Sequence, residues 1–137
     1  MSREWRVESR GRGGWGLGFT LIELLVVMAI IATLLSIAVP RYFSHVEKAK
    51  ETALRQTLAT TRDAIDKFHA DTGRYPAALS DLVSQRYLRR MPVDPLLERE
   101  DAWLIVAPPP KSDPGAVYDL HSAAEGASRD GSRFSEW

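Results

Sequence analysis

The sequence has 137 residues, of which 45% are hydrophobic and 26% are charged, a composition that fits one ordinary domain and excludes a long disordered or low-complexity chain. Lysine plus arginine equals aspartate plus glutamate, at 18 each, and this balance argues against a strongly basic nucleic-acid-binding protein. Because the chain has no cysteine, it has no disulfide scaffold, thiolate metal site or catalytic thiol.

The chain begins with a short basic segment that is followed by a membrane-length apolar segment. Residues 1–18 contain four arginines against two glutamates and end in a glycine-rich stretch. Residues 19–39 are apolar over 21 positions, with Glu23 as their only ionisable residue. A helix of that length spans roughly 30 Å, the hydrocarbon thickness of a bilayer. The positive-inside rule then places residues 1–18 in the cytoplasm and the residues after 41 across the membrane.

A plain signal peptide or signal anchor is the simplest alternative for this segment. A secretory signal peptide has an apolar stretch of about 7–15 residues followed by a small-residue cleavage site. Here the apolar stretch is longer, and the small-residue cluster precedes it and ends at Gly18. The carboxylate of Glu23 also costs about 2.5–3.5 kcal/mol inside a membrane, which indicates that it has a partner there.

An amphipathic helix follows the apolar segment. Between residues 42 and 69 apolar and threonine side chains recur every three or four positions, and neither glycine nor proline interrupts residues 41–70. We therefore expect one long helix over residues 19–70, kinked or locally melted near Pro40. Gly73 then stops the helix as a left-handed cap.

The remainder of the sequence predicts a small mixed head. A second helix is expected around residues 79–87, with Ser80 or Asp81 capping its start. Residues 102–107 and 116–121 are strand candidates, separated by proline-rich turns that favour an antiparallel sheet against the long helix. Residues 122–137 are expected to form a loop closed by Trp137. The fold class is therefore α+β.

The residues at the start of the apolar segment, GFTLIELLVV over 18–27, resemble the processing motif of type IV prepilins and type II secretion pseudopilins. The resemblance implies that a prepilin peptidase cuts after Gly18 and methylates the new N-terminal residue, Phe19. It also implies that Glu23 pairs with the N-terminus of the next subunit during assembly, whereas a helix-dipole role for this acid is the alternative. Pro40 falls where the family commonly has a proline, which would loosen the helix locally.

The head is similar to that of the major pseudopilin of type II secretion. The similarity lies in TGRYP at 72–76, Asp94-Pro95, VYDL at 117–120 and a polar loop that ends in tryptophan. It implies a type IV pilin-like fold with three parts. These are a leader at 1–18, a transmembrane or filament-core helix at 19–40, and a periplasmic amphipathic helix plus globular head at 41–137.

The same resemblance implies a calcium site in the C-terminal loop. The family uses the carbonyl oxygen of the residue that matches Leu120, together with acidic side chains that follow it. Its first aspartate is replaced here by Ala123, which leaves Asp119, Glu125 and Asp130 as candidate oxygen ligands. The alternative is a loop without calcium that is held by Trp137 and hydrogen bonds.

The resemblance implies a structural subunit and not an enzyme. The subunit would sit in the bacterial inner membrane with its leader in the cytoplasm and its head in the periplasm, and would then be extracted into a periplasmic pseudopilus. Expected partners are copies of itself, prepilin peptidase, other pseudopilins, the inner-membrane assembly platform and membrane lipid, and no nucleic acid. The alternatives are a type IV pilin or minor pilin for adhesion or DNA uptake, and a simple membrane-anchored domain.

Overall fold

The computed structural model describes residues 18–137, so the expected leader lies, apart from Gly18, outside the described residues. The described chain forms helix α1 (Leu21–Thr72), helix α2 (Leu79–Ser84), strand β1 (Trp103–Val106), strand β2 (Asp119–Ser122) and a single 3₁₀ turn (Phe134–Glu136). A long N-terminal helix and a small antiparallel sheet confirm the α+β, pilin-like fold class.

Helix α1 is continuous through Pro40, so the helix is not melted there. Proline removes only the hydrogen bond that its nitrogen would donate to the carbonyl of Ser36, and the turns on either side stay helical. Contacts within the chain divide it into two units between Pro40 and Arg41.

The hydrophobic core belongs to the second unit, residues 41–137. Helix α1 contributes one stripe of side chains with helical spacing, and α2, both strands and the C-terminal turn cover it. The side chains of this core are Leu54, Leu58, Ile65, Phe68, Leu82, Trp103, Val117, Leu120 and Phe134. The periodic pattern predicted from residue 42 onward is not buried along its whole length, because Ala49 and Ala53, which belong to it, are exposed. Burial of this one face fixes the side of α1 on which the head forms.

The ends of the helices follow from local backbone chemistry. Gly73 has φ +69° and donates its N–H to the carbonyl of His69 at 2.8 Å, which confirms the predicted left-handed cap. Helix α2 begins after Ala78, so Ser80 is not its cap. Asp81, in the first turn, accepts a hydrogen bond from the N–H of Ala77 at 2.9 Å and so stabilises that start.

The two strands pair antiparallel, from Trp103 opposite Ser122 to Val106 opposite Asp119. Strand β2 begins three residues later than its sequence pattern predicts. The N–H of Val117 donates to the carbonyl of Pro76 at 2.9 Å instead of to β1, so the sheet cannot extend to that residue. The later start places Asp119 and Leu120 in the strand, beside helix α1.

Candidate functional site

Among residues 18–137, nothing packs against the predicted cleavage junction. Gly18 and Phe19 precede the first turn of α1, and the side chain of Phe19 is 92% exposed. A Cβ atom built on Gly18 would meet no atom within 4 Å, so packing within the described residues gives no reason for glycine at this position. A requirement for glycine here would therefore come from an outside partner.

Helix α1 starts with a reciprocal cap between Thr20 and Glu23. The carboxylate of Glu23 accepts the N–H of Thr20 at 2.8 Å, and the hydroxyl of Thr20 accepts the N–H of Glu23 at 3.2 Å. This is a capping box, which satisfies two backbone donors that the helix itself cannot. The role of Thr20 was not predicted from the sequence, although the pattern Thr-x-x-Glu was present to indicate it.

The apolar part of α1 has no covering inside the described chain. Among the described residues, α1 is the one helix that is long and apolar enough to cross a membrane. Its hydroxyl groups bond within the helix, since Thr33 donates to the carbonyl of Ala29 at 2.8 Å and Ser36 to the carbonyl of Thr33 at 2.7 Å. Such internal bonds suit hydroxyls in an apolar environment, where water is absent.

The four residues predicted to bind calcium share no common partner: three of them contact arginine side chains, and the fourth is exposed. The side chain of Arg62 contacts Asp119 through Nε–Oδ1 at 2.6 Å and donates through Nη2 to the carbonyl of Leu120 at 3.0 Å. Asp130 pairs with Arg55 at 2.9 Å, and Glu125 is exposed to solvent. Within residues 18–137 no three acidic, histidine or cysteine side chains form a group that could hold a metal. As placed, the side chains of Asp119, Glu125 and Asp130 do not converge on one point.

Trp137 packs at the end of the C-terminal loop. Its indole N–H donates to the hydroxyl of Ser132 at 2.7 Å, and its ring packs edge-on against Phe134. The guanidinium of Arg55 lies over the same ring, 4.1 Å from its centre. The main-chain oxygen of Trp137 accepts a hydrogen bond from the ring of His121.

Neighbouring groups lower the pKa of Asp130 in this loop. Hydrogen bonds from the hydroxyl and the N–H of Ser132, together with the nearby Arg55, hold the pKa of Asp130 below its ordinary value of 3.8. The carboxylate therefore stays ionised and paired down to acidic pH.

Comparisons with known proteins agree with this geometry. The model of the family described as the prokaryotic N-terminal methylation motif matches residues 17–39. The type II secretion system core protein G of Escherichia coli (strain K12) is 30% identical over 122 residues, which cover 77% of this chain and 79% of that protein. The chain belongs to the family of type II secretion system core protein G, the G-type pseudopilins.

Two further relatives differ in how much of this pseudopilin they match. The type II secretion system core protein G of Pseudomonas aeruginosa is 29% identical over 88% of this chain and 94% of its own length. The fimbrial protein EcpC of Eikenella corrodens is 37% identical, but over only 44% of this chain and 39% of its own length. The pilin alternative is therefore not better supported. No solved structure matches the pseudopilin.

The structure brings together part of the predicted site and adds residues from elsewhere in the sequence. Asp119 and Leu120 lie side by side on β2, as their adjacency requires, whereas Glu125 and Asp130 do not join them. Arg55 and Arg62 were not predicted from the sequence, since they lie 75 and 57 residues from their acidic partners. No local pattern marks pairs so distant in the chain.

Proposed function

We propose that this pseudopilin is processed by a prepilin peptidase and polymerises into a periplasmic pseudopilus that drives protein export. The observation that carries the proposal is the combination of the methylation motif with similarity to core protein G proteins through the head. Cleavage after Gly18 and methylation of Phe19 are supported by the open, unpacked junction in front of α1.

Assembly is proposed to cover the apolar part of α1 with the same part of neighbouring subunits. Its large apolar side chains from Leu21 to Val39 are all more than two fifths exposed, so the chain alone leaves them to lipid or to copies of itself. Glu23 would contact the α-ammonium group of the next subunit, because a charge inside an apolar bundle requires a partner. Pro40 would let α1 lose helical hydrogen bonds locally in the filament.

The location follows from the same argument. Residues 1–18 would stay in the cytoplasm, α1 would anchor the subunit in the inner membrane, and the head would lie in the periplasm. The partners would be prepilin peptidase, other pseudopilins and the inner-membrane assembly platform. The role is structural, with no catalytic residue.

Genetic complementation tests this function. In the bacterium that encodes the chain, deletion of its gene should abolish the appearance of exported proteins in the culture medium. A plasmid copy with Gly18→Ala should restore export far better than one with Gly18→Trp, because the peptidase site must accept a small residue. Undiminished export in the deletion strain would contradict the proposal, and so would full restoration by Gly18→Trp. Loss of adhesion or DNA uptake with normal export would instead indicate a pilin.

A further inference from the structure

The guanidinium of Arg62 is the meeting point of three segments of the head. It extends from α1 and contacts the carboxylate of Asp119 at 2.6 Å, the carbonyl of Leu120 at 3.0 Å and the main-chain oxygen of Trp137 at 2.7 Å. The first two acceptors belong to β2 and the third to the C-terminal loop. A single cation thus ties helix, strand and loop together.

The three acceptors are the kind of atoms that a calcium ion takes. Calcium binds carboxylate and carbonyl oxygens, and its site requires six to eight of them. Here the guanidinium already uses the carbonyl of Leu120, which the family resemblance assigns to calcium, and one carboxylate oxygen of Asp119. A divalent cation at these oxygens would lie against a fixed positive charge, because arginine is not deprotonated in proteins.

A second arginine on the same side of α1, Arg55, also contacts an acidic side chain of the C-terminal loop. Arg55 forms an ion pair with Asp130, and its guanidinium lies over the ring of Trp137. One turn before it, Glu51 accepts the hydroxyl of the buried Ser128 at 2.9 Å. Arg129 of the loop also donates to the hydroxyl of Ser44 at 2.8 Å, so protein groups attach the loop to the helix at four positions.

We propose that Arg62 is a built-in cation of the C-terminal loop, which takes the place of a calcium ion and makes the folded head independent of calcium. The planar fork of the guanidinium suits this role, since it offers several donors in fixed directions to separate oxygens. Arg62 and Arg55 thus occupy Asp119 and Asp130, which are two of the three acidic candidates for a metal.

Hydrogen exchange of the full chain in detergent micelles tests the proposal. Mass spectrometry follows the amides of residues 119–137 in millimolar calcium chloride and, separately, in excess EGTA. We expect the same exchange rates in both for the wild-type chain. The variant Arg62→Gln should exchange about tenfold faster or more in this segment, because hydrogen bonds to a charged group are lost. Arg90→Gln, at an exposed arginine with the same change of charge, is the matched control and should exchange like the wild type.

Two results would overturn the proposal. One is slower exchange of the wild-type loop, or a higher melting temperature, in calcium than in EGTA. The other is an Arg62→Gln chain that exchanges like Arg90→Gln. If Arg62→Gln fails to fold, the comparison of calcium with EGTA on the wild-type chain still decides, because it requires no substitution.

Discussion

Substitutions at Glu23 separate two roles that the structure and the family assign to one carboxylate. In the structure the side chain caps its own helix by accepting the N–H of Thr20. In the proposed filament it pairs with the α-ammonium group of a neighbouring subunit. Glu23→Gln keeps an acceptor for the cap, because glutamine serves equally in a capping box, but it removes the charge. Thr20→Val does the reverse, since it deletes the capping hydroxyl and keeps the carboxylate.

The two roles differ in magnitude. Loss of a helix N-cap costs about 0.5–2 kcal/mol, which loosens the first turn of α1 but leaves the rest of a long helix intact. Loss of one partner from an ion pair in apolar surroundings costs about 3–5 kcal/mol, because the other charge is left without compensation. At every subunit contact of a filament, that penalty is large enough to prevent assembly. We therefore expect Glu23→Gln to be cut and methylated normally but to form few filaments, and Thr20→Val to form them.

The assay compares cleaved subunits with sheared filaments from cells that express each variant. Hydrogen exchange of the first turn of α1 in micelles reports the cap independently. If Glu23→Gln forms filaments at the wild-type level, the charge pairing is wrong and the carboxylate acts only as a cap. If Thr20→Val blocks assembly as fully as Glu23→Gln, the cap and not the charge is what assembly requires.

Three further predictions concern the head. Asp94 is fully buried and accepts the hydroxyl of Ser122, so Asp94→Ala should lower the melting temperature by roughly 10–20 °C in a thermal melt, because buried donors lose their acceptor. Gly115 has φ +147°, and a Cβ there would lie 2.5 Å from the Cβ of Tyr75, so Gly115→Ala should cost about 1–3 kcal/mol in denaturant unfolding. The pKa of Asp130 is lowered in the folded state, so its contribution to stability is complete above the unfolded-state pKa. That contribution is lost as the pH falls below about 4 through the folded-state pKa. The stabilities of the wild type and of Asp130→Asn should therefore differ at neutral pH and converge in acid.

Matched variants serve as controls for the first two of these predictions. Asp63→Ala removes an exposed carboxylate that pairs with Lys67 on the surface, and it should shift the melting temperature little. Gly131→Ala adds the same methyl group at positive φ but in open space, so it isolates backbone strain from the clash. Equal effects within either pair would refute the assigned cause. A constant difference between wild type and Asp130→Asn from neutral to acidic pH would refute the linkage to Asp130.

Periodicity predicted the long elements of this fold because they depend on nearby residues. The apolar segment, the amphipathic half of α1 and the cap at Gly73 all followed from spacing and glycine chemistry. Element boundaries that depend on distant partners were not predicted correctly. Strand β2 starts late because Val117 bonds to Pro76, and α2 ends early because Arg86 adopts a left-handed conformation, with φ +65°.

The C-terminal loop marks the limit of what the sequence could predict. Asp119 and Leu120 were recognised as oxygen donors, but the group that fills the space between their oxygens comes from α1. Arginines are frequent on helix surfaces, and nothing local to Arg62 distinguishes it from Arg90. Only the path of the chain, which brings β2 and Trp137 to the same side of α1, identifies it as the cation of the loop.

The mature N-terminus is the most direct test of the account. Mass spectrometry should be applied to the protein purified from cells that express a prepilin peptidase. The account predicts a chain that begins at Phe19 and carries one methyl group on its α-amino nitrogen. A chain that still carries residues 1–18 under those conditions would contradict processing after Gly18, and with it the proposed route into a pseudopilus.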